Sequence, residues 1–111
     1  MIKFLLFSII FALFSATTLN AAIYKGQRIF VKRCLECHKE GQGFITKYKA
    51  DEWNSFFKEN GKPLAKIHLS NRKAKGSWKF FQNANYAKKS KHLKQFLMEY
   101  AKDSGNVPAC N

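Results

Sequence analysis

Five consecutive residues constrain this chain more than anything else in it: Cys34-Leu35-Glu36-Cys37-His38. The pattern C-x-x-C-H is the attachment site of a c-type haem. Two thiols three positions apart lie on one helical turn and its exit. Each can add to one of the two vinyl groups of the porphyrin, and the next residue can present its imidazole to the iron. Cys34 and Cys37 are therefore read as thioether anchors of one covalent haem c, and His38 as the proximal axial ligand. C-x-x-C alone is shared by zinc sites and redox dithiols, which are the competing uses of these residues. The adjacent histidine favours haem.

The chain has 111 residues, enough for one small domain. Its opening reads as a secretory leader. Lys3 is a positive start, Phe4 to Phe14 is apolar apart from Ser8, and Ser15 to Ala22 is small and polar. Cleavage is expected near Ala21 or Ala22, which divides the chain into a signal peptide, 1–22, and a haem domain, 23–111. The alternative is an uncleaved N-terminal anchor, although the apolar run is short for a bilayer span. No cysteine precedes Cys34, so lipidation at the cleavage site is excluded. A domain of this size has a thin core. A covalent haem would supply a large apolar body for short helices to collapse on.

The formal net charge is +13, and +12 without Lys3, the one charged residue in 1–22. Such an excess favours acidic partners: an acidic redox protein, a membrane-bound complex or an anionic membrane surface. Nucleic acid is not expected. Export argues against it, and no stacking-aromatic or zinc-finger pattern supports it. The plainer use of the charge is solubility.

Helical periodicity runs through the rest. Ile23 to Arg33 reads as a helix entering the motif, with Gly26, Phe30 and Cys34 on one face. Gly26 is costly there unless something packs closely against it. Lys39 to Lys47 reads as a loop around Gly41 and Gly43. A helix over about Ala50 to Asn60 carries Trp53, Phe56 and Phe57 on one side, with Asp51 and Glu52 in its first turn. Gly61 is its stop signal, followed by Pro63. Leu64 to Leu69 gives a turn or two with Leu64, Ile67 and His68. Asn71 to Ser77 is polar and basic, and Trp78, Phe80 and Phe81 form an aromatic cluster in a short helix or turn. The last helix is expected from Ser90, as N-cap, to Asp103, with Leu93, Phe96, Leu97 and Tyr100 as its stripe. There are no strand-like alternations and no repeats. The reading is one all-α domain of three to five short helices.

Residues 26–38 match G-x-x-x-[FY]-x-x-x-C-x-x-C-H, through Gly26, Phe30, Cys34, Cys37 and His38. In this the chain resembles the class I c-type cytochromes. Leu97 and Tyr100 also match that family's L-x-x-[YF] in its final helix. The resemblance implies a small exported monohaem protein that carries one electron at a time, without being an enzyme. It implies haem attachment in the periplasm, a close crossing of the first and last helices at Gly26, and a redox partner such as a membrane respiratory complex.

The chain departs from the family at the second axial ligand, ordinarily a methionine before the last helix. Met1 lies in the leader, and Met98 lies inside the last helix beside Lys91 and Lys94. Two histidines are left. His92 is preferred to His68 because it is nearer the segment that carries the family's methionine, and Met98 ranks third. An iron with no second protein ligand is the alternative, and the protein would then be a haem-based sensor or small-ligand binder. Cys110 is the odd cysteine. It is read as a free thiol or the site of an intermolecular disulfide that would link a dimer, and less readily as a ligand.

Overall fold

The computed structural model describes residues 20–108. The expected leader as far as residue 19, together with Cys110, lies outside them. Helix α1 covers residues 20–29 and continues into a π-helical turn, Phe30–Cys34. Its inward stripe is Ile23, Gly26, Ile29 and Phe30, and Phe30 is fully buried. The π turn closes with the Leu35 N–H donating to the Phe30 carbonyl at 3.0 Å. Widening the last turn re-aims the chain as it leaves the helix, and such turns recur at functional sites. The motif then folds on itself: the N–H groups of Cys37 and His38 donate to the Cys34 carbonyl at 3.3 and 2.8 Å.

The expected loop over 39–47 contains one turn of helix, α2, Gln42–Ile45. Gly41, at φ 58, makes the turn into it. Phe44 and Ile45 form an apolar pair too short to show a period, yet Ile45 is fully buried. Its carbonyl accepts from Trp53 Nε1 at 2.9 Å. Helix α3, Ala50–Phe56, starts where expected. Two acids satisfy its opening donors: Glu52 Oε1 accepts from Lys49 N at 3.2 Å, and Asp103 Oδ1 accepts from Ala50 N at 2.9 Å.

Helix α3 ends four residues earlier than the stripe suggests. Glu59, Asn60 and Gly61 adopt left-handed backbone angles at the opening of α4, Lys58–Leu69, whose regular part follows from 62. The Gly61 carbonyl is held by the Tyr86 hydroxyl, which donates to it at 2.6 Å. A Cβ at Gly61 would stand 2.5 Å from that hydroxyl oxygen. Pro63 falls in the first regular turn, where its missing N–H costs nothing.

A 3-10 stretch, Arg72–Ser77, leads into α5, Trp78–Gln82. The last helix, α6, is Tyr86–Glu99, shifted toward the N-terminus from the expected 90–103. Ser90 is therefore not its cap. It is buried mid-helix, and its hydroxyl donates to the Ala87 and Asn60 carbonyls at 2.8 and 3.2 Å. The apolar stripe extends back to Tyr86, so the helix starts a turn earlier.

Helix α6 packs against α3, α4 and α5. The main core joins Phe30, Ile45, Trp53, Phe57, Leu93, Phe96, Leu97 and Ala101; a second cluster joins Phe80, Phe81 and Tyr86. No strand occurs among the described residues, so the domain is all-α. It has six helices there, one more than the upper expectation, and α2 is the addition.

Candidate cofactor cavity

Ile29 and Leu64 pack against both clusters. Residues of both also line a cavity of about 310 Å³, within the size range of small-molecule and cofactor sites. Cys34, Cys37 and His38 all line it, delivered by the π turn and the tight turn after it. Its walls are mainly aromatic and aliphatic: Phe44 from α2, Trp53 and Phe56 from α3, Leu64 and Ile67 from α4, Phe80 and Phe81 from α5. Ile67 is about half exposed at this wall. Two exposed cations, Arg33 and Lys73, also contribute to the lining.

Cys34 and Cys37 are free thiols. Burial pushes the Cys34 thiol up to about 12, and Cys37 adds to the shift. A redox dithiol works through a lowered thiol pKa, and Cys34 departs in the other direction. Among the described residues, no group of three or more His, Cys, Asp or Glu side chains stands together as a structural zinc requires.

His38 is half-buried and stacks on Phe44, with ring centres 3.8 Å apart and planes 15° off parallel. Its pKa is lowered, first by burial and then by His68 and Lys47, with Glu40 opposing. Glu40 and Lys47 pair with each other at 2.9 Å. The shift favours the neutral imidazole, the form that binds metals.

Of the residues ranked for the far side of the iron, the structure brings only His68 to the cavity. Its ring centre lies 6.2 Å from that of His38, with planes at 80°. His92, preferred from sequence, does not line this cavity. It sits in a separate groove between α1 and α6 with Lys25, Arg28 and Lys89. Its place four residues before Phe96 does put it at the edge of the packed face, but that edge meets α1. Met98 is half-buried against the main core and is also absent from the lining.

Sequence reasoning missed Phe44, the stacking partner of His38, because it stood in a supposed loop. It also left Leu93 and Leu97 as plain core, although both reach the cavity. Comparison of the chain with protein-family models, with curated proteins and with solved structures finds no match in any of the three.

Proposed function

We propose that this chain is an exported monohaem c-type cytochrome, of the class I kind, that carries one electron at a time. One observation carries the reading: Cys34, Cys37 and His38 of the C-x-x-C-H motif all line one mainly apolar cavity, with Cys37 at its exposed side. A motif of that spacing could fall anywhere on a small domain. Here both sulfur-bearing residues and the imidazole meet the same cavity.

Other features of the site fit the group. The walls are aromatic and aliphatic, as a porphyrin face requires. Arg33 and Lys73 are the cations that its carboxylates would pair with. Burial favours the neutral form of His38, whose ring stacks on Phe44. Bound there, haem would supply a one-electron iron couple. The chain's own work is attachment, ligation and exclusion of water. Cys34 and Cys37 would hold the group through thioethers, each S–H adding across one vinyl double bond, sulfur to one carbon and hydrogen to the other, so that nothing leaves and no oxidant is consumed. His38 would hold the iron through one ring nitrogen. The aromatic walls keep the surroundings of low polarity, which tunes the potential. The basic surface would steer acidic redox partners or a membrane complex toward it.

The test is the mass of the protein secreted from a host that attaches haem. The wild type is expected to carry the mass of one haem and to resist thiol alkylation at Cys34 and Cys37. Cys34→Ala with Cys37→Ala is expected to lose all covalent haem. A colourless wild type with both thiols open to alkylation would overturn the proposal.

A further inference from the structure

Resting on that reading, we infer that His68 is the second axial ligand, so that the iron is held between two imidazoles and has no open position. The primary observation is the spacing of His38 and His68 across the cavity, 6.2 Å between ring centres. Imidazole nitrogens bind a metal ion at about 2 Å. Adding the reach from nitrogen to ring centre on each side puts two rings that share one ion about 6 Å apart. The rings already stand at that separation.

The second observation is how His68 is held. Its Nδ1 lies 2.8 Å from the Leu64 carbonyl oxygen. A carbonyl only accepts, so Nδ1 carries the hydrogen and the lone pair is left on Nε2. Metal-binding histidines are oriented in this way, by a bond from the other ring nitrogen to a carbonyl or carboxylate. The ring also stacks on Phe81 at 4.4 Å with planes 28° apart. The backbone beneath it is pinned too, because Trp78 Nε1 donates to the His68 carbonyl at 2.8 Å. Ring, tautomer and backbone are each fixed by a separate contact, from α4 and α5.

No rival thioether or imidazole reaches the site. Among the described residues, His38 and His68 are the imidazoles that line the cavity, and no methionine lines it. Two imidazoles give a lower potential than a histidine and a methionine. A filled iron also favours electron transfer over capture of small gases.

The test uses the secreted, haem-loaded protein. Its optical spectrum is expected to be low-spin when ferric and when ferrous, and its ferric electron paramagnetic resonance spectrum low-spin, with no binding of carbon monoxide. His68→Ala is expected to turn high-spin and to bind carbon monoxide, and added imidazole is expected to restore the low-spin form. His92→Ala is expected to stay low-spin. Should His68→Ala fail to accumulate, His68→Met supplies a ligand of similar size, and its potential is expected to rise. A haem-loaded wild type that is high-spin would overturn this inference alone, as would a His68→Ala that stays low-spin or a His68→Met with unchanged potential. A wild type without haem would overturn the parent reading and this one with it.

Discussion

The Nδ1 atom of His92 is buried and has no hydrogen-bond partner, and it sets a direction for the protein's response to acid. Burial lowers the pKa of this imidazole, and Lys25 and Lys88 lower it further. Arg28, Lys32, Arg33 and Lys89 surround the same groove, and no acid lines it. Below about pH 6.5 the unfolded chain takes up a proton here that the folded chain refuses. Stability is therefore lost as pH falls through that value, and above it the effect disappears. The thermal midpoint of the secreted protein is expected to drop from pH 7 to pH 5, and to drop less in His92→Gln. Equal drops in the two proteins would contradict the assignment. At this scale the grouping of Cys34, Cys37 and His38 was legible in the sequence, because the three are neighbours in the chain. Which further histidine joins them at the cavity was not. Whether His68 or His92 faces the cavity depends on how α4 and α6 are turned about their axes, which tertiary packing decides.

Two helices carry the close contact on which the rest is hung. A Cβ at Gly26 on α1 would stand 2.0 Å from the His92 carbonyl oxygen and 2.7 Å from Phe96 Cβ, both on α6. These neighbours cannot swing away, since one is backbone and the other is the root of a fully buried side chain. Gly26→Ala is therefore expected to destabilise the protein by about 1–3 kcal/mol through overpacking, against the gain in helix propensity. Denaturant midpoints would measure it, and an unchanged or raised midpoint would show that the crossing is looser. The sequence flagged Gly26 as a cost that needed a close neighbour, and α6 is that neighbour. Element type was legible wherever an amphipathic stripe was long enough to show, and was missed at α2, a single turn within an expected loop. Boundaries were less so. Helix α3 stops at Phe56 because the chain turns through left-handed angles at Glu59 to Gly61, where Tyr86 holds the carbonyl. Helix α6 starts at Tyr86 because that same tyrosine belongs to its buried face. Both boundaries follow from one contact across 25 residues, which no local pattern contains.

Taken whole, the described residues form two aromatic clusters bridged by Ile29 and Leu64, and members of both line one cavity together with the thiol-bearing turn. A 111-residue chain with this many aromatic residues could have closed a dry core. It keeps a cavity of about 310 Å³ lined by His38 and His68 instead. No helix among the described residues is long and apolar enough to cross a membrane. The chain carries a net charge of +13, and the proposed task of the cavity is to gain and lose a single electron. A spectroscopic redox titration of the secreted protein tests that task most directly. The visible absorption of the haem is predicted to titrate reversibly with a slope of about 59 mV per tenfold change in the oxidised-to-reduced ratio, the value for one electron. A protein with no visible chromophore, or one whose only titrating couple follows the two-electron slope of about 30 mV expected of a dithiol, would contradict the account.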